Sequence, residues 1–314
     1  MKKTNLYEEI TSKFIEALKG GRIPWRKPWG GCAGGARSFE SGRAYSFLNQ
    51  MLIQIELESR FTGEITPEIR DYMEKVANGR FVAFSALKSH NGRINKGAKS
   101  YLITFFKHFQ PNDKDGQPMT TTNLYGEEVP VTIPVLRTYR VFSEFDCTGI
   151  PEEKIEQIKF DPIEEAERVI AGYVGKENGG CEYIVKLSDR AFYSPRRDRV
   201  VVPKPTQFKR KEEFYGTVFH ELTHSTGHPS RLNREEKKVA AFGSEDYSRE
   251  ELVAEMGSAM CLGRLGIDSA KAFKNSVAYV QSWLRALQND EKMIFWAASR
   301  AEKAVKWLFG ERGE

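Results

Sequence analysis

Leu6, Ile10, Phe14 and Leu18 recur at every fourth position, and Gly20-Gly21 follow. One apolar residue per turn with a glycine stop predicts an amphipathic helix over Met1 to Lys19, rather than a leader with an unbroken apolar core. Asn49 to Ser59 repeats the helical pattern, and Phe81 to Leu87 suits a strand or a short helix. Ser100 to Phe109 and Val131 to Phe142 are β-branched and aromatic, with the polar stretch Pro111 to Pro130 between them. That arrangement predicts a hairpin with a long tip.

The pattern changes after Gly149-Ile150-Pro151-Glu152-Glu153-Lys154, the best linker in the chain. Asp161 is placed to cap a helix over Pro162 to Val174. Glu182 to Leu187, Ala191 to Ser194 and Arg199 to Val202 read as short strands, the last two joined by a turn at Pro195-Arg196-Arg197-Asp198. Arg199 to Val202 is a candidate edge for pairing with an extended peptide. A helix over Lys211 to Thr226 follows, with Gly227 where a left-handed C′ glycine would end it. Ser248 to Leu265, closed by Gly266, then Ala270 to Leu287 and Glu291 to Phe309 complete the helices. This is an α+β chain of two domains, residues 1–148 and 161–314, joined by a linker over 149–160.

Bulk composition narrows the class. With 314 residues, 40% hydrophobic and 29% charged, the chain matches soluble globular proteins. No apolar run approaches the roughly 18 residues that span a bilayer, so no membrane partner is expected. Cys32, Cys147, Cys181 and Cys261 are far apart and form no C-x-x-C pair, which suits reduced thiols in a cytoplasmic protein. The net charge of +5 is unevenly spread: residues 1–110 hold 18 Lys and Arg against 10 Asp and Glu, and the remainder 30 against 33. A basic surplus in the N-terminal third suits phosphate backbones, although a solvated basic face would carry the same charge.

Aromatic residues interleave with that surplus. Ile23-Pro24-Trp25-Arg26-Lys27-Pro28-Trp29 sets two indoles around two cations, and Arg43 and Tyr45 follow in Ser41-Gly42-Arg43-Ala44-Tyr45. Lys88, Arg93, Lys96 and Lys99 fall in a loop before a strand. Bases stack on aromatic faces and cations meet phosphates, so these ten side chains nominate single-stranded DNA as a partner. The competing reading is that proline-flanked tryptophans pack their loop onto a core.

The most specific chemistry is His220-Glu221-Leu222-Thr223-His224, an H-E-x-x-H pattern. On a helix, positions i and i+4 share a face, so both imidazoles can meet one metal ion while Phe214, Val218 and Leu222 face the core. Zinc held by such a pair acidifies water and polarises a carbonyl, and Glu221 can take the water's proton and return it to a leaving amine. The extended scheme H-E-x-x-H-x-x-G-x-x-H fits at Gly227 but ends at Ser230, which is no ligand, and His228 is more naturally structural or substrate-facing. A third ligand from the next helix must then be Glu250, Glu251 or Glu255. The pattern of Glu-zincins assigns Glu251 to the metal and Glu255, one turn on, to orienting a ligand histidine. Two alternatives remain. Ser248-Arg249-Glu250-Glu251 reads as a capping box, in which Glu251 would serve only the helix end, and Glu255 could itself be the ligand. Tyr247 and Tyr215 are candidate oxyanion donors, though tyrosines at such positions more often pack.

Longer strings carry a resemblance. The N-terminal run Ile23 to Trp29, Gly42-Arg43-Ala44-Tyr45 with Asn49, Lys96-Gly97 and Val141-Phe142 stand with His220 to His228 and Glu250-Glu251-Leu252-Val253-Ala254-Glu255. Together they resemble the ArdC-type antirestriction proteins of conjugative elements over nearly the whole chain. The resemblance implies a single-strand DNA-binding domain, shared with some plasmid primases, ahead of a zincin-like metallopeptidase domain holding one zinc ion, or another divalent metal in its place. It also implies protection of incoming plasmid DNA from host restriction. The leading expectation is therefore a peptidase acting on a DNA-associated protein whose identity is unknown. The alternative is a non-catalytic DNA shield whose zincin domain is structural or binds protein.

Overall fold

The computed structural model describes residues 5–26, 35–61, 63–123, 126–151, 161–234, 245–268, 272 and 277–311. The N-terminal region opens with α1 (Leu6–Lys19), capped by the Asn5 side chain, which accepts the Tyr7 N–H. Ile10, Phe14 and Leu18 form its buried stripe, as their spacing predicts. A two-residue strand, β1 (Arg37–Ser38), leads to α2 (Phe47–Glu58). α2 is apolar almost all round, so it must be enclosed on every side. It is flanked by α1, α3 (Pro67–Asn78) and the sheet. β2 (Arg80–Ala83) then runs directly into α4 (Phe84–Ser89), so the segment that suited strand or helix is one and then the other.

After β3 (Arg93–Ile94) come β4 (Tyr101–Phe109), a small ribbon of β5 (Thr120–Thr122) and β6 (Glu128–Pro130), β7 (Ile133–Ser143) and β8 (Cys147–Thr148). β4 and β7 pair antiparallel from Tyr101↔Val141 to Phe109↔Ile133, which is the predicted hairpin; the β5–β6 ribbon lies in its long tip. The sheet order is β1-β2-β7-β4, so β4 is an edge. Open edges invite unwanted pairing. Here α2 supplies a substitute for the missing strand. The Thr104 N–H donates to Asn49 Oδ1 at 2.8 Å, and Asn49 Nδ2 donates to the Thr104 carbonyl at 2.8 Å. Glu56 accepts the Leu102 N–H at 3.0 Å.

The C-terminal region starts at α5 (Pro162–Tyr173), where Asp161 accepts the Ile163 and Glu164 N–H groups as predicted. β9 (Glu182–Lys186), β10 (Phe192–Ser194) and β11 (Arg199–Pro203) form a sheet of order β10-β11-β9. β11 is central, antiparallel to β10 and parallel to β9. This corrects the expectation that Arg199 to Val202 is an edge: both flanks are occupied, and the free edges belong to β9 and β10. α6 (Lys211–Ser225), α7 (Glu245–Arg264), α8 (Val277–Asn289) and α9 (Met293–Leu308) follow. Gly266, with φ of +69°, closes α7 in the left-handed turn that glycine makes easily. Gly227 does not repeat the device, because its φ is not positive. The chain leaves α6 by tight turns, with Gly227 N–H on the His224 carbonyl at 2.9 Å.

The hydrophobic cores do not follow the chain's division. One buries Phe214, Val218 and Leu222 of α6 against α5, β11 and the end of α7. Another packs α3 onto the N-terminal sheet through Met73, Val76, Phe81 and Tyr101. A further cluster joins both regions: Phe14, Trp25 and Leu52 meet Val253 and Met256 of α7, Trp283 of α8 and Ile294 of α9. At about 1.5–3 kcal/mol per fully buried large side chain, this shared cluster binds the two regions strongly.

Candidate metal centre

α6 and α7 are held at close range. Gly257 faces Thr223, and a Cβ there would lie 2.6 Å from the Thr223 methyl carbon. Ser258 Oγ donates to the Gly216 carbonyl at 2.7 Å across the same interface. α7 begins at Glu245, so Ser248 lies inside the helix and the capping-box role for Glu251 falls away. With the helices this close, Glu251 sits opposite both histidines.

The three donor atoms converge. His220 Nε2 and His224 Nε2 are 3.2 Å apart, and the Glu251 carboxylate lies 3.5 Å from the first and 3.4 Å from the second. A tetrahedral zinc ion with bonds of about 2.0–2.1 Å needs ligand atoms about 3.3 Å apart. Two imidazole nitrogens and a carboxylate, whose Oε2 faces His220 and whose Oε1 faces His224 at this spacing, therefore fit a divalent cation. Among the described residues they are the cluster able to hold a metal, with ligand atoms all within 4.8 Å.

Electrostatics keep the site together. Burial disfavours a charged His224 ring, but the carboxylates of Glu250 and Glu251 outweigh it and hold its pKa up at about 10. The same contest raises His220, with Glu251 the main favourable partner. Burial would raise the Glu251 carboxyl, yet the two imidazoles hold it far below the usual range. Glu221, only 9% exposed, makes no ion pair among the described residues.

Two arginines to which no sequence motif points brace the site. Arg234 donates to Glu250 at 2.9 Å, to Thr226 Oγ1 at 2.6 Å and to the Thr223 carbonyl at 2.7 Å. Glu250 in turn stands 3.6 Å from His224 Nδ1. Arg231 is buried, donating to the Ser225 carbonyl at 2.8 Å and pairing with Asp198 in the β10–β11 turn. That clamp ties the end of α6 to the sheet. A basic residue soon after a histidine motif is the available signal, but its acidic partner lies far away in sequence. His228 holds a turn with Ser230 through Nδ1, consistent with a structural role. Tyr215 donates to Glu167 at 2.6 Å and is packed, while the Tyr247 side chain lies outside the described residues.

The role expected of Glu255 is corrected. The carboxylate beside His224 Nδ1, placed to orient a ligand histidine, is that of Glu250. Glu255 instead pairs with Arg26 at 3.1 Å, and both side chains are buried. Trp25 and Arg26 therefore leave the expected DNA surface. Trp25 is 2% exposed and packs edge-on against Trp283, with ring centroids 5.2 Å apart. The tertiary core claims the indole, which is the packing alternative weighed for it. Lys27 and Trp29 lie outside the described residues. Tyr45 is also buried, tilted against Phe81 and edge-on to Phe105, and burial pushes its phenol up to about 12. Its ring offers no open face for a base. Arg43, Lys88, Arg93, Lys96 and Lys99 are all exposed, where cations can meet phosphate.

Comparison with known proteins agrees with both regions. Residues 4–142 match the N-terminal domain of anti-restriction factor ArdC, and residues 177–300 match a zincin-like metallopeptidase. Two Escherichia coli proteins, each named DNA primase TraC, are 32% and 30% identical over 96% of this chain. The chain spans only 27% and 20% of their lengths. The y4eC protein of Sinorhizobium fredii (strain NBRC 101917 / NGR234) is 27% identical, over 99% of this chain and 94% of its own. The antirestriction ArdC protein of plasmid R388 superposes in its metal-free and Mn(II)-bound crystal structures with TM-scores of 0.70 and 0.71. In each case identity is 29%, covering 97% of both chains. Fold and site thus define a two-domain α+β protein with a zincin-like C-terminal domain. The chain belongs to the ArdC-type antirestriction family. Among the described residues, no helix is long and apolar enough to cross a membrane.

Proposed function

We propose that this chain is an antirestriction protein of a mobile genetic element that binds single-stranded DNA and carries a zinc-dependent peptidase site acting on DNA-associated protein in the cytoplasm. The observation that carries this reading is the convergence of His220, His224 and Glu251 beside Glu221. Structural zinc sites are closed by four protein ligands, whereas catalytic ones use three and leave a position open. When bound there, zinc would supply a Lewis acid that polarises a peptide carbonyl and acidifies water. His220, His224 and Glu251 would hold it; Arg234 and Glu250 would orient His224; Glu221 would accept a proton and return it to the leaving amine. The exposed cations of residues 88–99 and Arg43 would follow the phosphates. The names of the relatives, an antirestriction protein of a plasmid and two DNA primases, are in keeping with work on transferred DNA.

The test compares wild type with Glu221→Ala for protection of DNA against a restriction enzyme and for cleavage of proteins bound to single-stranded DNA, with metal content measured in both. The expected result is full metal content and lost cleavage in the variant. Full protection by Glu221→Ala, with no cleavage of any DNA-bound protein by wild type, would sink the peptidase reading and leave the shield.

A further inference from the structure

A cleft of about 530 Å³ lies where the N-terminal and C-terminal regions meet. Its first wall is the exposed end of β4, with Phe105 and Phe106, and the other is α9, with Phe295, Ser299 and Glu302. Arg43 stands on the cleft lining. The volume falls in the range of about 300–1,000 Å³ typical of sites for small organic groups.

The lining has an unusual balance for a soluble surface. Phe105 is 47% exposed and Phe106 is 43% exposed, although both lie in a regular strand that is buried at its other end. Phe106 meets Phe295 edge-on, with centroids 6.2 Å apart, and Phe105 meets Tyr139 at 5.6 Å. The exposed aromatic surface of the cleft is that of Phe105 and Phe106, with the buried Phe295 backing Phe106 from α9. Arg43 is the cation on its lining, and two more flank Phe105 on the sheet. Arg137 is directly across from Phe105 on β7, and Lys107 follows two residues along β4, so both project from the same face as Phe105. The turn that carries Arg43 is fixed by Gly42 at φ +67° and by the Gly42 N–H on the Ser38 carbonyl. Arg43 is exposed and has no ion-pair partner among the described residues. Glu302 accepts the Phe47 N–H at 3.4 Å, which anchors a carboxylate at the cleft wall.

Aromatic walls, peripheral cations and one carboxylate suit a nucleobase better than other small groups. Rings stack on its faces, cations take the flanking phosphates, and a carboxylate accepts from exocyclic amines such as those of cytosine or adenine. A phosphorylated peptide would use the cations, but it would leave the rings unsatisfied and meet the carboxylate unfavourably. The recess admits only a base that has left its stack, which excludes intact duplex. We propose that this cleft takes one unpaired base of single-stranded DNA between β4 and α9, with Arg43 on its phosphate. This inference rests on the reading of the chain as a single-strand binder. It places the stacking residues at Phe105 and Phe106, in place of the buried Trp25 and Tyr45, and gives the zincin-like domain a wall of the DNA site.

The experiment uses the full chain and a single-stranded oligodeoxynucleotide carrying 2-aminopurine, whose fluorescence is quenched on stacking. Wild type should bind and alter the signal, and the same sequence as a duplex should not. Phe105→Ala should weaken binding by about tenfold and abolish the signal change, while Phe105→Tyr should retain both. Arg43→Gln should lower the slope of log affinity against log salt by about one. Ser299→Trp, placed on α9 to fill the cleft, should also abolish the signal change. Phe105 and Ser299 are exposed, so circular dichroism and thermal unfolding should show both variants folded. No binding by wild type at low salt would overturn the single-strand reading itself. Wild-type binding that is matched in affinity and signal by Phe105→Ala and Ser299→Trp would overturn the cleft alone.

Discussion

Gly257→Ala probes the spacing between α6 and α7 on which the donor set depends. The new Cβ would lie 2.6 Å from Thr223 Cγ2, 2.7 Å from Oγ1 and 3.2 Å from Cβ. Thr223 cannot turn aside, because it is fully buried and its hydroxyl donates to the Phe219 carbonyl at 2.7 Å. Relief to an ordinary carbon contact requires the helices to separate by roughly 1 Å. Overpacking of this kind costs about 1–3 kcal/mol, while alanine regains up to about 1 kcal/mol of helix propensity. Net destabilisation should thus be modest, at most about 2 kcal/mol. Metal binding should suffer more. The carboxylate of Glu251 is 3.4 and 3.5 Å from the imidazole nitrogens. A metal site tolerates only about 0.2 Å in bond length, so a displacement near 1 Å should weaken affinity by at least about tenfold. Titration with Zn(II) or Mn(II), alongside thermal unfolding without metal, separates the two effects. Thr223→Ala removes both of the closest atoms, so the double variant should recover most of the affinity. A Gly257→Ala protein that binds metal as wild type does and melts higher would refute the reasoning, as would failure of the double variant to recover.

Glu251→Ala should lose bound metal, whereas Glu255→Ala should keep it but unfold more easily, since the buried Arg26–Glu255 pair is broken; metal analysis and urea unfolding distinguish them, and retained stoichiometric metal in Glu251→Ala would reassign the ligand. Asn49→Ala should cost about 2–4 kcal/mol in urea, because the Thr104 N–H and carbonyl both lose their partner; an unchanged midpoint would show that the edge of β4 does not need α2. Burial alone would raise Asp198, but hydrogen bonds from Arg231 and Tyr193 hold its carboxyl below the ordinary value. Its contribution is therefore complete above the unfolded pKa, about 3.9, and is lost as pH falls through the lower folded value. Thermal unfolding of wild type from pH 6 down to about 2.5 should show that loss, and Asp198→Asn should flatten it; parallel curves would count against the clamp.

Local signals in the sequence carried much of this architecture. The four-residue spacing in α1, the cap at Asp161 and the β4–β7 hairpin all express short-range periodicity. His220 and His224 are placed by helix geometry alone, but register leaves Glu251 and Glu255 on one face, and only the Glu-zincin pattern singles out Glu251. The misreadings arise where partners are remote. Pro24-Trp25-Arg26 resembles an exposed stacking segment until α8 brings Trp283 onto the indole and α7 brings Glu255 onto the guanidinium, 229 residues away. The central position of β11 depends on parallel pairing with β9, which strand composition does not encode. Glu250, not Glu255, reaches His224 because Arg234 draws it there, and nothing in helical spacing names that arginine.

The shared core of α1, α2, α7, α8 and α9 also sets a length. Two domains on a flexible linker meet their targets at an effective concentration that varies with tether length. A continuous core replaces that statistical reach with a ruler. For a DNA strand held against α9, the metal centre on α6 and α7 would stand at a constant offset. A protein bound to that strand would be presented to Glu221 at one distance along the DNA, so footprint rather than sequence would select what is cut.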